Sequence, residues 1–286
     1  MNRLVLIDGN AILHRAYHAI PPFTFSDGSP AGAVYGFISM LIKIYNDLKP
    51  THIAVAFDRA APTFRQELFK EYQAQRPKME DNLVGQVDKV HDVVTSFGIP
   101  IYEVDGFEAD DVIGTITKQS KNQVIIVTGD RDILQLVDDE KVFVFMPTKG
   151  LSEGKLYGEK EVVERMGVKP SQVPNFKALA GDPSDNYPGV SGIGPKTAVR
   201  LLEKHKTFQK VLATLTKKDQ ESALLSQKLA TIRTDAPVKI DLDKARLTTL
   251  DTPSARKALE DFHFPSLLKR LKLFEKKPTN SQLSLV

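Results

Sequence analysis

The chain has no cysteine in 286 residues. Disulfides and thiolate metal sites are therefore excluded, which suits a reducing cytosol. No apolar run approaches the length of a transmembrane helix. Met1-Asn2-Arg3 leads into a run too short for the core of a signal peptide and interrupted by Asp8. A soluble cytoplasmic protein with no membrane partner is the expectation. There is no internal repeat. No acyl-transfer nucleophile is evident either, since the histidines accompany no Ser-His-Asp pattern and a Cys-His pair cannot occur. His14 and His18 read as surface or structural residues rather than substrate contacts. What the chain does have is 41% hydrophobic content, enough for a core in one large or two smaller domains.

The apolar runs end in acids. Asp8 closes Leu4-Val5-Leu6-Ile7, Asp58 closes Ile53 to Phe57, and Asp130 and Asp132 follow Val124 to Gly129. Such runs, alternating with helical patterns, read as buried parallel strands, and ligands of open α/β sheets sit at the carboxyl ends of those strands. Gly106-Phe107-Glu108-Ala109-Asp110-Asp111 adds three carboxylates at the start of an amphipathic helix. Helix starts favour acids without any further role. Together with the strand-end aspartates, however, so many like charges on one edge call for a compensating cation. Hard oxygen ligands without sulfur point to Mg²⁺ or Mn²⁺ rather than zinc.

The net charge is +3. Outside the candidate acids the chain is distinctly basic, which fits a polyphosphate partner but also an ordinary solvated surface. Helices are expected over 10–17, 33–48 and 81–97, and further strands over 99–104 and 142–146. Around Lys169-Pro170 the pattern turns to helices separated by turns. The expected division is an α/β core over 1–169, a helical region over 170–274 and a polar tail over 275–286. Between Asp58 and the 81–97 helix, Arg59, Phe64, Arg65, Phe69, Lys70, Tyr72, Arg76 and Lys78 interleave rings with cations. That mixture suits single-stranded nucleic acid, and equally an amphipathic helix with buried rings.

A second informative stretch runs from Gly181 to Ala198, with Asp182 and Asp185 ahead of a turn rich in glycine and Pro195-Lys196-Thr197 at a helix start. Exposed amides and a helix N-terminus there would accept phosphate, with Lys196 and Arg200 adding charge. The motifs Val5-Leu6-Ile7-Asp8-Gly9-Asn10, Ala56-Phe57-Asp58, Ala61-Pro62-Thr63-Phe64-Arg65, Glu108-Ala109-Asp110-Asp111, Thr128-Gly129-Asp130-Arg131-Asp132 and Gly181 to Ala198 stand in one order along the chain. In them the sequence resembles, over nearly its whole length, the 5′ nuclease domain of bacterial DNA polymerase I and, more distantly, the flap endonuclease superfamily.

That resemblance implies an α/β fold with a PIN-like or Rossmann-like, mostly parallel sheet flanked by helices, followed by a helical DNA-binding region with a helix-three-turn-helix. It implies a 5′-3′ exonuclease and flap endonuclease acting on DNA with 5′ flaps, nicks or ends and on RNA primers, as a monomer, with a polymerase domain in cis or in trans. Asp8, Asp58, Glu108 and Asp110 would gather around one Mg²⁺ (or Mn²⁺) and Asp130, Asp132 and Asp185 around another, with Asp111 and Asp182 supporting. Residues 59–95 would form a helical arch, with Arg76, Gln73 and Lys70 near the scissile phosphate. Arg15, Arg65, Tyr72, Arg76, Gly192, Gly194, Lys196, Thr197 and Arg200 would contact nucleic acid. A K⁺ ion would sit on carbonyls of Leu179, Ala180, Pro188, Val190 and Ile193.

One position departs from the family pattern, which usually has lysine where this chain has Gln73; Lys70 or Lys78 could compensate. Two rival classes are weaker. Asp8-Gly9-Asn10 lacks the second aspartate of the haloacid dehalogenase phosphatases. A DNA-binding module that had lost catalysis would gain nothing from keeping mutually repelling acids.

Overall fold

Five of the expected apolar stretches become the parallel strands of one sheet. A computed structural model describes residues 2–149 and 153–272. Its strands are β1 (Arg3–Asp8), β2 (His52–Ala56), β3 (Ile101–Tyr102), β4 (Gln123–Val127), β5 (Val142–Lys149) and β6 (Glu153–Tyr157), in the order β3-β2-β1-β4-β5-β6. All neighbours are parallel except β6, which pairs antiparallel with β5. The strand expected over 99–104 is reduced to its two central residues. β6 was not expected, because an edge strand that is mostly exposed carries no apolar run. The tail expected over 275–286 lies outside the described residues.

The sheet separates two cores by the alternation of its side chains. Val5, Ile7, Ile53, Val55, Ile125 and Val127 face one side, packed with α1 (Gly9–Ala19), α2 (Gly32–Leu48) and α4 (Asp81–Ser96). Between β2 and α4 comes a short helix, α3 (Phe64–Leu68), then a run of turns. Leu4, Leu6, Ala54, Ala56, Val124 and Ile126 face the other side, against α5 (Ala109–Gln119). Helices after residue 158 extend this second core: α6 (Glu159–Met166), α7 (Val173–Ala180), α8 (Pro195–His205), α9 (Phe208–Leu212) and α10 (Lys217–Ala230). Val162, Leu179, Leu202, Val211 and Ala223 belong to the same cluster as Leu4 and Leu6. A short α11 (Leu242–Ala245) then leads back to the first face. There α12 (Pro253–Asp261) and α13 (Pro265–Lys272) bury Leu259, Phe264, Leu267 and Leu271 beside α2 and α4.

Candidate active site

β1 lies between β2 and β4 with Asp8 opposite Ala56 and Ile7 opposite Val127, so Asp58 and Asp130, just beyond those strands, flank Asp8. This is where the strand order reverses, the usual ligand position of an open α/β sheet. Asp8 caps α1, accepting the Ala11 N–H at 2.9 Å, and its second oxygen takes the Thr128 hydroxyl at 2.6 Å. Gly9 is required here, because a Cβ would sit 2.4 Å from the Phe57 ring. The Asp58 N–H donates to Asn10 Oδ1, and its carboxylate accepts the Ala109 N–H at 2.6 Å. That bond brings the N-terminus of α5, with Glu108 and Asp110, to the ends of β1 and β2. Asp8, Asp58, Glu108, Asp110, Asp130, Asp132 and Asp185 all line one pocket of about 320 Å³.

Asp132, Asp182 and Asp185 form a tighter group, each offering an oxygen within 4.8 Å of the others. Asp132 opens the 3-10 turn after β4, whereas Asp182 and Asp185 come from the turn after α7. That turn folds back on itself through an Asp182–Tyr187 bridge. Its backbones cross so closely that a Cβ on Gly189 would lie 2.2 Å from the Gly181 nitrogen. Lys177, only 9% exposed, puts its ammonium between Asp132 and Asp182. Asp185 accepts from Arg76 at 2.6 Å, from the Gln73 amide at 3.2 Å and from the Tyr72 hydroxyl at 3.3 Å.

Crowding of buried acids is visible in their proton affinities. Burial pushes Asp8 and Glu108 up to about 7, with neighbouring carboxylates adding to the rise. Burial does the same to Asp132, up to about 7, against the pull of Lys177. Asp110 is raised well above the carboxylate range by burial and then by Asp130, Asp8 and Asp132. Asp58 is raised mainly by burial. Asp182 differs: burial raises it, but Lys177 and Ser184 outweigh that and hold it low. A divalent ion fits such a donor set, since it removes the repulsion that protonation otherwise has to relieve. Nearby, the buried Tyr187 hydroxyl has no hydrogen-bond partner among the described residues, and the carboxylates acting on it are Asp132, Asp182 and Asp185.

Arg65 and Tyr72 line the pocket wall, whereas Asp111 and Lys70 do not reach it. Arg65 and Tyr72, expected on nucleic acid, are 2% and 3% exposed. Arg65 makes two parallel bonds to Asp111, at 2.7 and 2.9 Å, and reaches the carbonyls of Leu229 and Thr231. Asp111, expected to support a metal, is 0% exposed and spent on this pair and on the Arg233 N–H. The physical reason is the helix period: Asp111 is the third residue of α5 and points away from Asp110, into the core. Tyr72 faces inward and stacks on Tyr187, so the buried-ring reading of this stretch holds for it. Lys70 is exposed and absent from the pocket lining, as is Lys78; the cations that line the pocket are Arg59, Arg65 and Arg76.

The remaining expected positions lie nearby on the surface. Arg15 lines a shallow groove on α1 with His14, His18 and Asp130. Gly192, Gly194 and Lys196 are exposed at the start of α8, with Thr197 partly buried behind them and Arg200 exposed one turn on. The carbonyls of Leu179 and Val190 accept the N–H groups of Val190 and Ile193, at 2.9 and 3.0 Å, leaving each a second lone pair. Ala180 and Pro188 belong to the same crossing turn, with Pro188 O 2.6 Å from where a Gly181 Cβ would be. Asn10, Thr128 and Tyr187 stand inside the motifs read from the sequence but are given no role there, and Lys177 escapes that reading altogether. Its signal is that of a lone cation inside the apolar run Phe176-Lys177-Ala178-Leu179 directly ahead of Gly181-Asp182.

Fold and pocket thus define a class: an α/β protein with an oxygen-only, cation-demanding site at the switch point of its sheet. Two family models cover most of the chain: the 5′-3′ exonuclease, N-terminal resolvase-like domain, over residues 3–167, and the 5′-3′ exonuclease, C-terminal SAM fold, over residues 168–253. The chain belongs to the 5′-3′ exonuclease family. It is 40% identical to DNA polymerase I of Caldicellulosiruptor bescii over 96% of this chain and 34% of that protein. The DNA polymerase I of Bacillus subtilis is 37% identical over 94% of this chain and 32% of that one. The chain spans about a third of the length of these relatives. The T5 D15 flap endonuclease, solved as a pseudo-enzyme-product complex with DNA and metal ions, is similar in fold, with a TM-score of 0.63 and 20% identity over 96% of this chain and 98% of that one.

Proposed function

We propose that this chain is a structure-specific 5′-3′ exonuclease and flap endonuclease, hydrolysing phosphodiester bonds of DNA and of RNA primers near 5′ ends, flaps and nicks in replication and repair. The observation that carries the reading is the convergence of Asp8, Asp58, Glu108, Asp110, Asp130, Asp132 and Asp185 on one pocket. The donor set is all oxygen, and no side-chain nucleophile competes. Asp8, Asp58, Glu108 and Asp110 would hold one Mg²⁺ or Mn²⁺, and Asp130, Asp132 and Asp185 the other, with Asp182 supporting. Bound there, the cations supply an activated water, relief of charge on the phosphoryl oxygens and a stabilised leaving oxygen.

The protein's own groups do the positioning. Arg76 is half exposed at the pocket and turns its guanidinium to Asp185, from which it can pass to a phosphate oxygen. Gln73 donates beside it. At the far side, the exposed Gly192, Gly194, Lys196 and Arg200, with Thr197, present amides and charge to duplex phosphates. We assign this turn with α7 and α8 as a helix-three-turn-helix whose carbonyls, from Leu179, Ala180, Pro188, Val190 and Ile193, hold K⁺. The T5 complex with DNA and metal ions and the polymerase relatives support the reading. On it, residues 1–169 cut, 170–274 hold duplex, one chain is sufficient, and a polymerase domain works in cis or in trans.

The test is cleavage of end-labelled flap, nicked and single-stranded substrates with Mg²⁺, with Mn²⁺ and with chelator. Cleavage near the junction with either metal, lost in chelator and in Asp58→Ala and Asp130→Ala while both variants stay folded, is the expected outcome. Junction binding without cleavage by the metal-loaded wild type would leave only a binding module. Near-normal turnover by either variant would remove the two-metal assignment.

A further inference from the structure

The two halves of the carboxylate cluster are balanced in different ways. Asp8 and Asp58 accept from backbone amides and a hydroxyl. In the other half Asp130 accepts from the Asp132 N–H, and the other three carboxylates already share an oxygen with a protein cation: Asp132 and Asp182 with Lys177, and Asp185 with Arg76. The two cations are not equivalent. Arg76 is on a run of turns and its side chain is about half exposed, so it is free to leave. Lys177 is fixed in the middle of α7, with its side chain only 11% exposed, five residues ahead of Asp182. The Gly181 turn sends the chain back so that Asp182 meets it. Asp182 Oδ1 is held by the Ser184 N–H and hydroxyl, which leaves Oδ2 as the oxygen turned to Lys177.

Resting on the two-metal reading above, we propose that Lys177 is a tethered counter-ion of the second carboxylate group. It keeps Asp132 and Asp182 converged when no divalent ion is there, and it competes with that ion for the same oxygens. An ammonium held between two buried carboxylates removes one unit of the charge that attracts a metal, and occupies an oxygen of each. In the first group only Glu108 meets a cation, Arg65 at 3.4 Å, and that guanidinium gives its two parallel bonds to Asp111; Asp8, Asp58 and Asp110 have none among the ion pairs of the described residues, so this group is the tighter of the two. The consequence is ordered filling: the second position loads fully only when the ammonium is displaced from its carboxylates, which an incoming anionic phosphate would favour by giving it another partner. Lys177 is thus a positioning residue that acts through Asp132 and Asp182.

The experiment uses the whole chain without DNA. Mn²⁺ binding is followed by calorimetry and by electron paramagnetic resonance of free Mn²⁺, for the wild type, Lys177→Met and Lys177→Gln. Thermal unfolding is measured in chelator and in Mn²⁺. The wild type is expected to show a tight and a weak class of sites. Both variants should tighten the weak class by about tenfold or more, leave the tight class unchanged and unfold at lower temperature in chelator, with Mn²⁺ restoring more of that loss than it gives the wild type. Lys177→Gln removes the charge while keeping an amide N–H₂ that can donate to a carboxylate, so it decides the matter if Lys177→Met does not fold. An unchanged or weakened second class in the folded Gln variant overturns the proposal. A wild type that binds Mn²⁺ in one class, or not at all, overturns the two-metal reading as well, and cleavage by the same preparation separates the two failures.

Discussion

Asp8, Glu108 and Asp132 each carry a proton affinity raised by burial to about 7. An acid whose affinity is raised on folding stabilises the fold fully below its unfolded value of about 4, and that stability is lost as pH rises through its folded value. Metal-free protein is therefore expected to unfold at a lower temperature at about pH 8 than at about pH 5.5, and Mg²⁺ should abolish most of the difference. Thermal scans in chelator check this, and Asp8→Asn should narrow the gap. Gln73 is the other residue to examine. Its backbone is in the left-handed region, φ 56°, and its amide reaches Asp185 and the Tyr72 hydroxyl rather than solvent. A charge there would add to Arg76 beside the phosphate. Gln73→Lys is expected to raise the single-turnover cleavage rate about tenfold. An unchanged rate would show that Arg76 already supplies the cation.

Among the elements, α3, α5 and the end of α10 are joined by Arg65 and Asp111. Both side chains are nearly or fully buried, and every donor or acceptor direction used is answered by a neighbour. Breaking one side of such a pair strands the other charge, at a cost of about 3–5 kcal/mol. Asp111→Asn is expected to lose about that much stability by denaturant unfolding, equally with Mg²⁺ and with chelator. A loss seen only with Mg²⁺ would return Asp111 to the metal. The same pair shows why the turns from Phe69 to Arg76 stay over the pocket: α3 is pinned at Arg65, and Tyr72 fixes their far side against Tyr187.

For the molecule as a whole, the sheet is the shared wall of two cores, and the helices beyond residue 158 complete one of them before α12 and α13 close the other. Neither region can unfold without exposing a face of the sheet. One cooperative thermal transition is expected for the whole chain, with fluorescence and calorimetry reporting the same midpoint. Two separated transitions would show that the helical region holds itself together.

Much of this was legible along the chain. The apolar runs gave β1, β2 and β4, because a strand buried on both faces must be apolar throughout, and the acids that end them gave the site. The helices of 32–48 and 81–96 follow from their period and their stops. What periodicity could not supply was direction and partnership. Asp110 and Asp111 are adjacent in sequence and of the same residue type, yet one faces the pocket and the other an arginine 46 residues away. Tyr72 and Lys70 are two apart in a stretch with no regular period, so only packing decided which turned inward. Lys177 is an ordinary lysine until the Gly181 turn brings Asp182 back to it and β4 delivers Asp132. Sequence by itself fixed which residues are acidic and where strands must end, since those depend on local chemistry and period. Which charges meet depends on the crossing of distant segments, and only the tertiary structure decides that.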